Sequence, residues 1–224
     1  MRKAVAWGSI VGVLVLLVLD AVLTRSGVIA HVLPRASGPG PWLVSRALGL
    51  TAYVALSLDI VLGLLVSTGA ADRALPRART LELHQWLSSV ALVLVGAHAV
   101  ALLGDGFVGY DALDLTVPFA AEPRRLATAL GVLSAYAMLG LHLSFAARGR
   151  IGARTWRKLH YGSFVLYVAA TVHGISAGTD TGRPFTTLLY ALSGLVVATL
   201  LGTRAVLAVK ERARRVARGT SVAR

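Results

Sequence analysis

Six long apolar segments constrain the fold of this chain more than any other feature. A helix needs about 20 mostly apolar residues to cross a bilayer, and each segment is long enough. Of the 224 residues, 56% are hydrophobic, which is typical of a membrane protein. The predicted spans are residues 4–24, 43–70, 81–104, 125–147, 156–177 and 185–209, followed by a basic tail at 210–224. The sequence therefore predicts an all-α integral membrane bundle of six helices.

Little of the chain lies outside these six spans. The connections are too short to form a soluble nucleotide-binding domain, which needs about 100 residues or more. We therefore expect a single transmembrane domain over residues 1–224. The absence of cysteine excludes disulfides, cysteine-ligated iron–sulfur clusters and thiol catalysis. A cleaved signal peptide is an alternative for the first segment, but its removal would leave five spans and disrupt the alternation of charge.

The positions of the basic residues predict the orientation in the membrane. Six spans place both termini on one side, and 17 of the 23 Lys and Arg residues fall on that side. Positive charge is retained in the cytoplasm, so we expect a multi-pass protein of the cell membrane with both termini cytoplasmic. The net charge of +13 then reflects topology and attraction to the anionic headgroups of the lipid bilayer. We expect no nucleic-acid partner.

Four histidines lie within two of the predicted spans. His84 and His98 are on the third span, and His160 and His173 are on the fifth. Ionisable groups at membrane depth are costly and commonly functional. Both spans are predicted to run outward from the cytoplasm, so His84 matches His160 in depth near the inner face, and His98 matches His173 near the outer face. The sequence thus predicts two stacked two-histidine sites, about 20 Å apart at the rise of an α-helix.

The helical phase supports this pairing only in part. Fourteen residues bring His84 and His98 within about 40° of one helix face, whereas thirteen residues set His160 and His173 about 140° apart. The fifth span therefore needs a bend, a bulge or divergent side-chain rotamers. Gly162, just after His160, is the expected position of such a bend.

Two imidazoles from different helices favour haem over zinc as the bound group. Zinc requires four ligands, and the two spans contain no Cys. Haem needs one or two axial ligands and fits between the helices of a bundle. We therefore expect two haem b groups between the third and fifth helices, with the four histidines as iron ligands. The alternative is that these histidines form hydrogen bonds between helices.

The same residues resemble a known family. The shared features are His-x13-His on the third span, the stretch WRKLHYGSFVLYVAATVHG with His-x12-His on the fifth, and DLTVPFA between the third and fourth spans. They are similar to the ferric reductase-like transmembrane domain family, which includes ferric-chelate reductases, the membrane part of NADPH oxidases and the haem-binding subunit of bacterial methionine sulfoxide reductase systems. The resemblance implies a six-helix bundle with two b haems, bound by His84 with His160 and by His98 with His173.

Oxidase and reductase members of this family carry a FAD- and NADPH-binding domain after the sixth helix, and we expect none in this chain, whose sequence stops at Arg224. The resemblance therefore implies an oxidoreductase component that receives electrons from a separate flavoprotein, which supplies FMN or FAD, or from quinol. The outer acceptor would be ferric ion or a redox protein. Such a component is either a ferric reductase or a haem-carrying subunit of a separate reductase. A haem-free transporter-like bundle, with the histidines and Asp59 as a proton relay, is the third alternative.

Further side chains near the predicted haems are candidates for supporting roles. Basic residues at the span ends are either contacts to haem propionates or positive-inside anchors: Arg79, Arg157 and Lys158 on the inner side, Arg124 and Arg125 on the outer side. Asp59, in the second span, is expected to bond a neighbouring helix. Four aromatic residues either line the haems or anchor helices at the interface: Trp86, Trp156, Tyr161 and Tyr167. Four acidic residues after the third span either attract cations or form a solvated loop: Asp105, Asp111, Asp114 and Glu122.

Overall fold

The computed structural model describes residues 38–72 and 74–222, with side chains to residue 214, and this part of the chain forms helices joined by short connections. The described helices are α1 (Gly40–Thr68), α2 (Arg77–Leu103), α3 (Ala112–Thr116), α4 (Arg125–Ile151), α5 (Ala153–His160), α6 (Gly162–Ala177) and α7 (Pro184–Val222). The all-α prediction is confirmed for these residues. The predicted first span, residues 4–24, lies outside them.

Four of the described helices, α1, α2, α4 and α7, are long and apolar enough to cross a membrane. The first three match the predicted spans 43–70, 81–104 and 125–147, with ends that differ by at most four residues. Large apolar side chains are exposed on their surfaces, as helices in lipid require. The chain is therefore a membrane protein with several apolar helices, while the predicted count of six exceeds the four candidate spans that the structure describes.

The predicted fifth span, residues 156–177, is interrupted. α5 ends at His160 and α6 begins at Gly162, with Tyr161 between them. The Phe164 amide bonds the Tyr161 carbonyl, three residues earlier, at 3.2 Å, which tightens the chain locally. This is the position at which the spacing of His160 and His173 predicts a bend. The 16 residues of α6 extend about 24 Å, so this helix alone is shorter than the roughly 30 Å hydrocarbon core.

A single glycine connects α4 to α5. Gly152 has φ 82° and ψ 147°, a conformation that residues with a Cβ rarely adopt. Its amide bonds the Arg148 carbonyl and closes α4, and its carbonyl accepts the Trp156 amide at the start of α5. α4 packs against both α5 and α6. Gly152 therefore sets the direction in which α5 carries His160.

The last helix is longer than predicted. The sixth span is predicted to end at residue 209, whereas α7 continues to Val222 through the basic tail. Pro184 occupies the first helical position, where its missing N–H costs nothing. The tail is rich in Ala, Arg, Lys and Glu, which favour helix, so the local preference of the tail extends the helix beyond the apolar segment.

The described residues form two compact units, one of residues 38–56 and 88–181 and the other of residues 57–87 and 182–222. In the first unit, Tyr53, Ala129, Met138 and Tyr167 are buried on α1, α4 and α6. In the second unit, buried side chains on α1, α2 and α7 include Leu64, Thr80 and Val197. The boundary divides α1 between Leu56 and Ser57 and α2 between Leu87 and Ser88. His98, His160 and His173 therefore belong to the first unit, and His84 belongs to the second.

Acidic residues shape the connection between α2 and α4. Asp105 is fully buried, and its carboxylate accepts the Val108 amide at 2.8 Å. Asp111 and Asp114 bond each other's backbone amides as a capping box at the start of α3. Three of the four acidic residues thus serve the local fold. This favours the structural interpretation of the loop over an acidic surface that attracts cations.

Candidate functional site

His98 on α2 is held by Ser45 on α1. Its Nδ1 lies 2.7 Å from the Ser45 carbonyl oxygen and 2.9 Å from the Ser45 hydroxyl. That hydroxyl donates to the His98 carbonyl at 3.0 Å, so the network assigns the donor role at Nδ1 to His98. A neutral imidazole that donates from Nδ1 has an unprotonated Nε2. This leaves the lone pair of Nε2 on His98, as the predicted ligand role requires.

His173 on α6 is held in the same manner by α4. Its Nδ1 lies 2.7 Å from the carbonyl oxygen of Ala127. A carbonyl oxygen only accepts hydrogen bonds, so Nδ1 carries the proton and Nε2 carries the lone pair. Metal-binding histidines commonly donate their other ring N–H to a backbone carbonyl or a carboxylate, which fixes the tautomer and the ring orientation. His98 and His173 both have this arrangement.

The rings of His98 and His173 lie opposite each other within the first unit. Their centroids are 6.4 Å apart, and the ring planes are at 73°. Two imidazoles bound to opposite sides of one metal ion have centroids about 6 Å apart, because each N–metal bond is about 2 Å long. A direct edge-to-face contact falls in the same range of distance. The structure thus brings the predicted outer pair together at a separation that suits a metal between the rings.

His84 on α2 contacts Asp59 on α1 within the second unit. The Nδ1 atom of His84 lies 3.0 Å from the Asp59 carbonyl oxygen and 2.8 Å from Oδ1 of its carboxyl group. The hydrogen bond is directed at the carbonyl, and the buried Oδ1 has no well-directed partner. Asp59 thus contacts a neighbouring helix through its backbone carbonyl and its carboxyl group, and a proton-relay role for it stays a prediction. Here both common partners of a metal-binding histidine, a carbonyl and a carboxyl group, lie beside one ring.

A glycine of a neighbouring helix faces each of these three rings. The pairs are Gly49 with His98, Gly63 with His84 and Gly131 with His173. The distance from such a glycine's added Cβ atom to the nearest ring atom would be 3.0 Å at Gly49, 3.2 Å at Gly63 and 2.6 Å at Gly131. Each ring therefore occupies the space that an alanine side chain would need. The sequence prediction missed these glycines, although Gly49 and Gly63 are separated by fourteen residues, as are His84 and His98.

His160 has a different environment. It is the last residue of α5, and the Trp156 indole stacks on its ring with centroids 5.0 Å apart and planes at 20°. Trp156 Nε1 is buried and has no hydrogen-bond partner among the described residues. Because His160 and His84 belong to different units, their pairing at one haem stays a prediction.

The donor set fits haem better than a metal ion bound by protein alone. Within residues 38–72 and 74–222, no group of three or more His, Asp or Glu side chains is placed to hold a metal ion. Haem needs only one or two axial ligands from the protein. The opposed rings, the tautomers that their hydrogen bonds impose and the space left by the facing glycines all fit that requirement at the His98–His173 pair.

The predicted basic residues have varied contacts. Arg124 donates to the Ala177 carbonyl at 2.6 Å, and Arg125 donates to the Phe119 carbonyl at 2.9 Å. Arg79, Arg157 and Lys158 are exposed. Contacts of all five residues to haem propionates stay a prediction.

The sequence prediction also missed an ion pair of the first unit, Arg46 with Asp180 at 2.6 Å, because no local pattern links residues 134 positions apart.

The four predicted aromatic residues have three kinds of environment. Tyr167 is buried, and its hydroxyl bonds that of Tyr53 at 3.1 Å, so it is a packed residue of the first unit. Trp156 contacts His160. Trp86 and Tyr161 are 63% and 52% exposed, as interfacial anchors are.

Apolar helices that carry hydrogen-bonded, opposed histidines are typical of a membrane redox component. The chain belongs to the family described as ferric reductase like transmembrane component, whose model matches residues 48–171, more than half of the sequence. The matched range includes His84, His98 and His160 and ends two residues before His173. The predicted family is thereby confirmed. No curated protein and no solved structure matches the chain.

Proposed function

We propose that this protein is a transmembrane electron-transfer protein with two b haems, which moves electrons from a cytoplasmic or quinol donor to an outer metal or protein acceptor. The His98–His173 pair carries the proposal. Each ring donates from Nδ1 to a backbone carbonyl, and the ring centroids are 6.4 Å apart. Membership of the ferric reductase-like family supports the same function.

The residues of this chain prepare the axial ligands. The Ser45 and Ala127 carbonyls hold the proton on Nδ1, which leaves Nε2 of His98 and His173 as neutral ligands. A haem held by His98 and His173 would supply one-electron transfer at this site.

The inner site is proposed to use His84 and His160, and its surroundings differ in charge from those of the outer site. His98 and His173 donate to neutral carbonyls, whereas a carboxyl oxygen lies 2.8 Å from Nδ1 of His84. A negative charge beside a ligand favours the oxidised, more positive iron, because net charge and hydrogen bonding set the reduction potential. We therefore expect the inner haem to have the lower potential, which favours electron flow from the inner haem to the outer one.

The electron donor is proposed to act on the side where basic residues are exposed. Arg148, Arg150, Arg154, Arg157 and Lys158 are exposed around the junction of α4 and α5, and the positive-inside rule assigns this side to the cytoplasm. A flavoprotein carrying FMN or FAD, or membrane quinol, would reduce the inner haem. Ferric ion or an outer redox protein would accept the electron.

The first test is the ratio of haem to protein in the detergent-purified chain, measured as pyridine haemochrome together with reduced-minus-oxidised spectra. We expect about two b haems per chain with low-spin bands. His98→Ala should retain one haem, and His142→Ala, which changes a histidine of α4 that is not one of the four predicted ligands, should retain both. Purified protein without haem would contradict the proposal and favour a haem-free bundle.

A second assay distinguishes the two forms of the function. If the protein reduces ferric chelates with reduced flavin and no other protein, it is a ferric reductase component. Haem reduction without transfer to ferric chelates would instead identify a haem-carrying subunit that serves a separate reductase.

A further inference from the structure

Three histidines share one arrangement on their neighbouring helices. Each donates from Nδ1 to a backbone carbonyl, and in each case a glycine follows the acceptor residue by four positions. The acceptor and glycine are Ser45 and Gly49 for His98, Asp59 and Gly63 for His84, and Ala127 and Gly131 for His173. The three cases involve three different stretches of helix, so the arrangement recurs independently.

Helix geometry explains the spacing of four residues. In an α-helix the carbonyl of residue i already accepts the amide of residue i+4. A second donor must approach that oxygen from the side, over the Cα of residue i+4. A Cβ atom at this position would lie between 2.6 and 3.2 Å from the nearest ring atom in the three sites, too close without a shift of the ring. The hydrogen bond and the glycine are thus two parts of one requirement.

The sequence register of α1 and α2 satisfies this requirement twice. Gly49 and Gly63 are fourteen residues apart, as are His98 and His84. The residue nearer the start of α1 meets the histidine nearer the end of α2, so the two helices run in opposite directions. Both histidines of α2 therefore meet their glycines with one register.

We propose that Gly49, Gly63 and Gly131 are positioning residues for haem ligation, which fix the ring plane and the tautomer of His98, His84 and His173. The inference rests on the proposed haem function. A glycine inside a helix makes that helix less stable than an alanine would. A carbonyl that is already bonded within its own helix does not need a second hydrogen-bond donor. The three glycines instead admit an imidazole whose Nε2 is turned toward the iron. His160, which is stacked on Trp156, is positioned by a different contact.

The test compares glycines that differ only in the space beside them. Gly131→Ala and Gly140→Ala lie on the same helix, but a Cβ on Gly140 meets nothing within 4 Å, whereas one on Gly131 would lie 2.6 Å from His173 Cε1. We expect Gly131→Ala to lose the outer haem, so that the ratio falls from about two haems per chain to about one. Gly140→Ala should keep both. Unchanged haem content and unchanged spectra in Gly131→Ala would overturn the inference.

Gly49→Ala and Gly63→Ala give an independent readout, because their clashes are milder at 3.0 and 3.2 Å. We expect both variants to retain haem but to shift the low-spin electron paramagnetic resonance signal of one haem each, since this signal reports the orientation of the axial imidazole planes. If Gly131→Ala does not accumulate in the membrane, unchanged signals in these two variants would overturn the inference. Wild-type protein without haem would contradict the proposed function itself, whereas failure of the variants alone leaves that function intact.

Discussion

Asp59 is the residue whose environment most distinguishes the predicted inner ligand from the outer ones. It is 7% exposed, and it offers His84 both a carbonyl and a carboxyl oxygen. Serine and alanine occupy the corresponding positions beside His98 and His173, and neither residue carries a carboxyl side chain. The Asp59 carboxyl group is thus the main difference between the surroundings of the predicted inner ligand and those of the outer ligands. Its removal should therefore affect one haem alone.

We predict that Asp59→Asn raises the reduction potential of one haem by about 60 mV or more, which corresponds to a tenfold change for a one-electron couple. The asparagine keeps the size of the side chain and replaces the carboxyl group with an uncharged amide. Spectroelectrochemical titration resolves the two haems. Asp72→Asn, which removes a carboxylate from an exposed loop of the same unit, should leave both potentials unchanged. Equal shifts of both haems in Asp59→Asn would refute a local effect of the carboxyl group.

Single residues also mark the limit of prediction from this sequence. The spacing and depth of the four histidines identified the outer pair, because period and rise are fixed properties of a helix. The partners of those histidines were not predictable, since a backbone carbonyl has no sequence signature and every residue supplies one. Only the matched spacing of Gly49 and Gly63 carried that information, and its meaning depends on the register between α1 and α2.

Among the helices, the segment that carries His160 and His173 departs most from a simple span. The interruption at Tyr161 was predictable from the helical period, because thirteen residues cannot place two side chains on one face. The end of α7 was not predictable from hydropathy, since the helix extends beyond its apolar part through residues that favour helix by themselves. The direction in which α5 leaves α4 depends on Gly152, whose positive φ is readily adopted only by a residue without a Cβ.

Gly152→Ala is expected to destabilise the protein by about 1–3 kcal/mol, the usual cost of a backbone conformation that only glycine adopts readily. Because Gly152 directs α5, we also expect loss of the haem that His160 is proposed to bind. Thermal unfolding in detergent and haem content measure the two effects. Gly149→Ala is the matched control three residues earlier, since its Cβ meets nothing within 4 Å and its φ is ordinary. Similar melting of both variants would show that α5 does not depend on the conformation of Gly152.

For the whole molecule, the central proposal is the direction of electron flow, which depends on the orientation in the membrane. The charge distribution predicts that the junction of α4 and α5 lies in the cytoplasm and the connection between α2 and α4 lies outside. The sequence contains no cysteine, so a single introduced cysteine is the only thiol available for labelling. Two exposed positions sample the two sides: Phe107, which is 87% exposed, and Ala153.

We predict that a membrane-impermeant maleimide labels Phe107→Cys in intact cells and labels Ala153→Cys only after the membrane is disrupted. Gel analysis of the labelled protein gives the result directly. The opposite pattern would reverse the proposed direction of electron transfer while leaving the haem ligands unaffected.

The length of α7 sets a distance outside the membrane. Its 39 residues extend about 58 Å, close to twice the roughly 30 Å thickness of the hydrocarbon core. A helix of this length that crosses the core along its normal would extend beyond it by about half of its own length, which defines a height above the lipid. A partner that binds the far end would be held at that height and at a fixed rotation. Inserting one residue near the membrane surface would turn such a partner by about 100° about the helix axis.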